Sequence, residues 1–450
     1  LLLSRKCIAL FLLLSSCSPK LDPYPSFHDV REEVQCRTGE TIHWDRCGQD
    51  PCAQVRKILS KPLILDDVIE VALLNNRRLQ AAYENIGIAQ ADLVQACLLK
   101  NPILDFQLRY DHCFSGEKVI EMGIIQNFLD ILLKPLQRKL ACAELAKVKS
   151  LVAGEAIQVI ADVKTAFFTL QSAKRMLELK QESVLASEAS FEAADRLWKA
   201  GNIKKLEYLV QSSLLEQSKI NAVQAELNVV EARERLNALM GLWEGSGNWD
   251  LSEELYRIPG EFQEREDIEN LVIANSLDLS AARHEIRKTA ARMGIEVTEA
   301  VIPEFGIGVD SEREPDGNWF AGPQFSIGIP VFDLGQARSA AGRAEIRQLC
   351  DKYYAMAVEL RSAARASSFS LWNYHRQFKY FQDTLVPLMK EVTNETLLQL
   401  NAMQVGVFEL LGMKMQEIEA EEKMIQAYMG YWVARIELEK LIQGKQTGIE

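Results

Sequence analysis

The chain has 450 residues, 48% of them hydrophobic and 25% charged, and its formal net charge at pH 7 is −12. That balance excludes the basic stripe that nucleic acid would need. Past the first residues no apolar run approaches the ~20 residues that cross a membrane as a helix, which leaves any lipid contact to strands, to an anchor, or to nothing.

The N-terminus supplies an anchor. LLLSRKCIALFLLLSSCSPK begins with Arg5 and Lys6, continues through an apolar stretch from Ile8 to Leu14, and reaches Leu14-Ser15-Ser16-Cys17. Residues 1–16 read as a secretory signal too short to span and stay. The four residues ending at Cys17 resemble the bacterial lipobox, which implies that Cys17 is lipidated and heads the mature protein. The other reading is an ordinary cleaved signal that ends near a cysteine. By the same resemblance, Ser18 after the cysteine suggests delivery to the outer membrane. The sequence opens on Leu1 rather than Met, so the true start residue stays open.

Residues 17–62 form a lipid-anchored N-terminal segment, of which 18–62 are expected to be extended and irregular, with Pro19, Pro23, Pro25, Pro51 and Pro62. Cys36, Cys47 and Cys52 lie there, and in an oxidising compartment a disulfide among the three is the default, with its pairing open. The spacing Cys-x10-Cys-x4-Cys lacks the close pairs of structural zinc sites. Cys97, Cys142 and Cys350 sit in helical pattern and are expected to be small buried hydrophobes.

From residue 63 onward the chain repeats itself. Asp67, Asn75, Leu79, Ala81 and Ala82 return as Asp267, Asn275, Leu279, Ala281 and Ala282. With a small drift, Pro102 returns as Pro303, Leu-Glu-Tyr-Leu at 206–209 as Phe-Glu-Leu-Leu at 408–411, and Leu-Met-Gly at 239–241 as Ile-Gln-Gly at 442–444. A repeat this long carries a unit of several elements and predicts a pseudo-twofold protomer. The boundaries expected are a first repeat over 63–243, a linker over 244–265, a second repeat over 266–444 and a tail over 445–450.

Each repeat reads as a helix, two strands and two long helices. The first helix is expected over about 65–99. Leu104, Phe106, Leu108 and Tyr110 then alternate with Asp105, Gln107, Arg109 and Asp111, and Ile120, Met122 and Ile124 share one side of a second strand. Copy two alternates Phe305, Ile307 and Val309 with Glu304 and Asp310, followed by Phe325, Ile327 and Ile329. This period of two is a strand signal. The long helices carry 3-4 seams: Leu371, Tyr374, Phe378, Phe381, Leu385, Leu388 and Val392 in one, and Leu411, Met415, Ile418, Ile425, Met429, Trp432 and Ile436 in another, the latter interrupted by Glu422. Sustained seams mean helices packed at shallow angles over many turns, and Pro387 within a seam should kink its helix.

Four strands, apolar on one face and polar on the other, make an open sheet whose edges cannot stay unpaired in lipid. Three chains would supply twelve strands, enough for a barrel with a lumen. The fold class expected is therefore mainly α with a small β part: a long coiled-coil helical barrel joined to a trimeric 12-stranded outer-membrane β-barrel, four strands per protomer, with an internal two-fold repeat.

The order and duplication of these elements, with GPQFSIGIPVFDLGQARSAAGRAEIR at 322–347 and AQADLVQACLLKNP at 89–102, resemble the TolC-type outer-membrane efflux protein family over roughly residues 60–444. The resemblance implies a homotrimer, a periplasmic adaptor and an inner-membrane pump as partners, outer-membrane lipid around the barrel, and Cys17 as the anchor of a lipid-anchored member. It also implies that the helix–helix turns Ala200-Gly201-Asn202 and Val405-Gly406-Val407 are adaptor-docking tips, and that Glu207 and Glu409 stand where a periplasmic gate carries acids. Beside these stand plainer readings: turn glycines that touch nothing, and acids on a solvated helix face. Asp105, Gln107, Arg109, Asp111, Glu304 and Asp310 are the candidate lumen-facing residues.

Met403, Met413, Met415, Met424 and Met429 read as packing rather than metal ligands, and the five histidines show no ligand pair at helical spacing. No nucleophile motif, phosphate loop or catalytic acid pair is present, so neither enzyme activity nor a cofactor is expected. The competing functions are a non-channel periplasmic coiled-coil lipoprotein acting as scaffold or adhesin, and the pump's adaptor. The adaptor fits poorly because the chain has two long helical hairpins and few strands.

Overall fold

The computed structural model describes residues 22–44, 52–110, 118–243, 249–252, 255–260, 267–314 and 316–446. Helices α1 (Tyr24–Thr38) and α2 (Cys52–Leu59) come first, where an irregular segment was expected. Phe27, Val30 and Val34 explain the first of them: they recur at three and four residues and are buried, and the Phe27 ring meets the edge of Tyr83 at 5.2 Å. A proline in the opening turn, Pro25, does not oppose a helix.

The repeat is visible in three dimensions. Copy one contains α3 (Leu65–Asn75), α4 (Arg77–Cys97), β1 (Ile103–Tyr110), β2 (Lys118–Asn127), α5 (Leu129–Lys199) and α6 (Lys205–Leu239). Copy two contains α7 (Ile268–Asn275), α8 (Leu277–Val301), β3 (Phe305–Arg313), β4 (Trp319–Ile327), α9 (Gln336–Tyr380), a π-helical turn at Phe381–Leu385, α10 (Val386–Asn401) and α11 (Val407–Gln443). The single first helix expected in each copy is broken after Asn75 and after Asn275. At the break Asn76 is extended, and its Oδ1 accepts a hydrogen bond from Leu79 N at 3.1 Å. That is the work of an N-cap residue, satisfying an amide that the new helix would otherwise orphan. Ser276 holds the same place in copy two, also extended.

The repeated asparagine and glycine have one physical explanation. Asn75 Nδ2 donates to Met240 O at 3.1 Å and Gly241 O at 2.8 Å; Asn275 Nδ2 donates to Ile442 O at 3.1 Å. Gly241 and Gly444 both have positive φ, and a Cβ on either would collide with the carbonyl of the matching asparagine. Only glycine combines that handedness with that approach. Arg37 adds a clamp on the second turn, donating to Asn275 O at 2.6 Å and Gln443 O at 2.7 Å.

The described residues fall into two compact units. One holds the sheet and is built from Ala82–Ala153 and Leu277–Ala357, with the described residues up to Glu32. Within it Glu144 and Glu285 alternate with Lys147 and Lys288 in a four-membered ion network, with contacts from 2.8 to 3.4 Å. Asp130 is buried beside Lys134, at 3.0 Å, and Lys100, at 3.7 Å. Burial pushes this carboxyl up, but the hydrogen bonds from Gln137 and Lys134 and the charges of Lys134 and Lys100 outweigh it and hold it below the ordinary range.

The other unit comprises Glu33–Ala81, Gly154–Ser276 and Val358–Glu450. Its core is aromatic: Phe168 stacks on Trp432 with ring centroids 4.3 Å apart, and Phe167, Tyr256 and Tyr428 meet Phe168 edge-on. The linker takes part where it is described. Trp249 is buried, its Nε1 donates to Asn237 Oδ1 at 2.9 Å, and Leu251 bridges to Leu63. Glu422, the polar break in the α11 seam, is paired with Lys180 at 2.7 Å.

Pro387 acts through the residues before it. It has no N–H to give, and the Val386 N–H bonds Phe381 O five residues back, which makes the π turn. One extra residue per turn shifts the seam. Leu371 and Phe378 are buried ahead of the turn, but Val386 replaces Leu385 as the next buried position and Leu388 is exposed. The expected seam through Leu388 and Val392 is therefore off by one residue. The cysteines need correcting too: Cys97 and Cys142 are exposed and Cys350 is half-buried, because each lies on the outward side of its helix. Cys36 is a free, exposed thiol, whereas Cys47 lies outside the described residues together with any disulfide it makes.

Candidate functional site: the two faces of the sheet and the helix turns

The sheet has the order β1-β2-β3-β4, all neighbours antiparallel, with β2 and β3 joining the two repeats. Register places Asp105 opposite Gly123, Gly123 opposite Asp310, and Gln107 opposite Glu121, which faces Glu312. Because side chains alternate across a pleated strand, Asp105, Gln107 and Arg109 share one face with Glu121, Asp310, Glu312 and Gln324. Arg109 pairs with Glu121 and donates to Gln107 Oε1 at 3.0 Å. The missing side chain at Gly123 leaves room beside Asp105 and Asp310, whose atoms would lie 3.9 and 3.5 Å from a Cβ there. The polar face thus gathers four carboxylates and one guanidinium. Glu121 and Glu312 were not among the sequence candidates, although their period-two spacing within each strand was readable. Glu304 is exposed one residue ahead of β3, and Asp111 lies outside the described residues.

The opposite face is apolar and uncovered: Leu104, Phe106, Leu108, Met122, Ile124, Val309 and Phe325 are all exposed in the single chain. At the loop end of both hairpins this face changes character in the same way. Tyr110 stands opposite Lys118, whose Nζ lies 5.6 Å from the ring centre, and Trp319 stands opposite Arg313. Aromatic and cationic side chains at a strand's end suit the boundary between hydrocarbon and water. β1 and β4 have no partner on their outer edges among the described residues. No described helix is long and apolar enough to cross a membrane.

The long helices end in two turns of the same construction. After α5, which runs 71 residues or about 100 Å, Gly201 N donates to Trp198 O at 2.9 Å and Asn202 N to Leu197 O at 2.8 Å. After α10, Met403 N donates to Leu400 O and Gln404 N to Gln399 O, both at 2.9 Å. Gly201 has φ +75, and the residue in its place is Met403, with φ +59 and a side chain that is 93% exposed. Gly406 does not correspond to Gly201. It is the N-cap of α11 with φ −85, as Lys204 is the N-cap of α6 with φ −76, and a Cβ on Gly406 would meet nothing. Glu207 and Glu409 both stand exposed in the first turn of the following helix, where a carboxylate also favours the helix dipole.

Met403 is the only non-glycine residue with positive φ among the described residues, and a methionine in that region carries a cost of about 1–2 kcal/mol. Met403→Gly is expected to relieve it. Hydrogen exchange at the Gln404 amide should slow about fivefold, the equivalent of ~1 kcal/mol. Faster exchange would show that the turn tolerates Met403 without strain.

Of the other methionines, Met415 and Met424 pack on Leu179, Ile418 and Ile425. His375 is buried, with Nε2 2.9 Å from Pro259 O. No group of three or more His, Cys, Asp or Glu side chains capable of holding a metal occurs among the described residues.

An edge-open sheet with one apolar and one polar face, each hairpin followed in sequence by two long helices, is the pattern expected of an outer-membrane channel closed by strands from several chains. Residues 137–242 match the family model described as outer membrane efflux protein. The chain is 22% identical over 381 residues to the cobalt-zinc-cadmium resistance protein CzcC of Cupriavidus metallidurans, covering 82% of this chain and 86% of that one. Among solved structures, the CmeC outer membrane channel of Campylobacter jejuni superposes with a TM-score of 0.72 at 14% identity, covering 86% of this chain and 87% of CmeC. The outer-membrane channel OprN gives 0.70 at 16% identity, covering 89% and 94%. By sequence across residues 137–242 the chain is similar to outer membrane efflux proteins, and along most of its length it shares the fold of these outer-membrane channels.

Proposed function

We propose that three copies of this chain form the outer-membrane duct of a tripartite efflux system, receiving cargo from a periplasmic adaptor and an inner-membrane pump and conducting it passively outward. The observation that carries this reading is the sheet. A four-stranded sheet with free edges, an exposed apolar face and a carboxylate-rich polar face is complete only when other copies close it around a lumen. A scaffold or adhesin has no use for such a lining.

Asp105, Glu121, Asp310 and Glu312 against Arg109 give the polar face a net negative charge in each protomer, repeated by symmetry around a barrel. Rings of carboxylates favour cations. Glu207 and Glu409 would add two more rings at the other ends of the long helices, at the periplasmic entrance. The name of CzcC, which speaks of cobalt, zinc and cadmium, is compatible with cationic cargo. Lipidation of Cys17 would hold the N-terminal segment at the same membrane, and the first repeat, linker and second repeat over 63–243, 244–265 and 266–444 would be the working body.

One preparation tests the assembly. Native mass spectrometry of detergent-extracted protein should show a single trimer whose chains begin at an acylated Cys17. A folded, membrane-inserted monomer contradicts the duct; an unmodified terminus removes only the anchor. In planar bilayers the trimer should conduct with cation preference. Glu207→Gln with Glu409→Gln should lower that preference at unchanged trimer yield if the acids line the entrance, and leave it untouched if they face solvent.

A further inference from the structure

A pocket of about 600 Å³ opens where α4 ends and α5 begins, lined by Cys97, Lys134, Pro135, Arg138, Lys139 and Cys142. Its charged lining is of one sign. Lys134 is already engaged, with Asp130 at 3.0 Å and Gln137 Oε1 at 2.9 Å. Arg138 and Lys139 are exposed and make no ion pair among the described residues. Two unneutralised cations on consecutive residues of a helix repel each other, and an anion between them removes that repulsion.

The pocket's place in the chain narrows the anion. Cys97 closes α4 six residues before β1, and α5 starts two residues after β2 ends, so the pocket adjoins the helix-side ends of the strands. Gln126 of β2 donates to Lys100 O at 3.1 Å, and Lys134 Nζ reaches Ala96 O at 3.4 Å, tying these ends together. Next to the lining residues in the chain stand exposed apolar side chains: Leu98 and Leu99 directly follow Cys97, and Ile131 and Leu132 come just before Lys134, with Leu132 62% exposed. A free phosphate would use the cations and leave these four in water. An amphiphile with an anionic head would use both.

We infer that this pocket seats the phosphate headgroup of an anionic phospholipid, with the acyl chains lying along Leu98, Leu99, Ile131 and Leu132. The inference rests on the reading of the sheet as part of an outer-membrane barrel, because only then do the strand ends lie at a lipid headgroup layer. Basic pockets at that depth are suited to anionic lipid heads. The seat recurs three times around a trimer. It takes the lipid as a structural ligand that fixes how deep the strands stand, independently of any acyl group on Cys17. The two thiols report on it, since both Cys97 and Cys142 are exposed in its lining.

The test uses the full-length protein in nanodiscs of phosphatidylglycerol or of phosphatidylcholine. Modification of Cys142 by a charged thiol reagent, read by mass spectrometry of its peptide, should be much slower in phosphatidylglycerol. In native mass spectrometry of the trimer, Arg138→Gln with Lys139→Gln should reduce retained phosphatidylglycerol about twenty-five-fold, from roughly fivefold per surface cation, and leave phosphatidylcholine unchanged. Equal labelling in the two lipids overturns the inference without any variant. So does equal retention by the variant, or protection of Cys142 in detergent by inorganic phosphate alone, which would make the site one for a soluble anion. A protein that never inserts as a trimer fails the barrel reading and this inference together; one that inserts but ignores headgroup charge fails this inference alone.

Discussion

Phe168→Ala is expected to lower the stability of the folded chain by about 3–5 kcal/mol, the range for removing a fully buried aromatic ring from a packed core. Phe168 is 1% exposed and lies flat on Trp432 while Phe167, Tyr256 and Tyr428 press on it edge-on. These five rings come from α5, from the linker between repeats and from α11, so the residue ties three distant parts of the sequence together. The surrounding rings are large and cannot collapse into the space left behind, which puts the cost toward the upper end. The temperature at which the extracted protein unfolds should fall by many degrees. A shift indistinguishable from that of Leu388→Ala, at an exposed position on α10, would show that the stack contributes no more than a surface contact.

Gly406→Trp should abolish efflux while leaving folding intact, if the turns carrying Gly201 and Gly406 are where the adaptor docks. The geometry separates the two effects. Gly406 has φ −85, which any residue adopts, and open space where a side chain would go. Replacing glycine at an N-cap costs the helix only about 1 kcal/mol or less. Bulk at that position can obstruct only something that approaches from outside. The measurements are trimer yield, substrate sensitivity of cells carrying the variant, and cross-linking to the adaptor. Normal efflux by Gly406→Trp rejects the docking role. Loss of the trimer would instead make Gly406 a folding residue, against its conformation.

Much of this could be read from the residues alone, and the reasons differ from element to element. The sheet was legible because period two is a strong signal and each hairpin repeats it: Leu104, Phe106 and Leu108 in one copy, Phe305, Ile307 and Val309 in the other. The pairing of β2 with β3 was not, since nothing local in either strand names a partner. Asn75 with Gly241, and Asn275 with Gly444, were visible as repeats but not as contacts, because their link is a hydrogen bond across 165 or 166 residues in the first copy. The helix breaks at Asn76 and Ser276 were missed because neither Gly nor Pro marks them; the signal was a capping side chain inside an apolar run. Met403 carries no sequence mark of its left-handed backbone. Its φ of +59 shows it.

The junction of β2 and β3 has a kinetic side. Asn127 pairs with Gly306, roughly 180 residues later in the chain, whereas β1 with β2 and β3 with β4 are close neighbours in the sequence. Contacts of such long sequence separation bear the largest closure entropy and form slowly. Each hairpin can close as soon as its own residues are available, but the sheet must wait for the second copy to leave the ribosome and cross into the compartment where it folds. Until then both inner strand edges are open and sticky. The helices between them, governed by near-neighbour contacts, have time to form first. The order of events is therefore written into the duplication itself: a gene that doubled its hairpin also postponed the moment at which its product could meet a membrane.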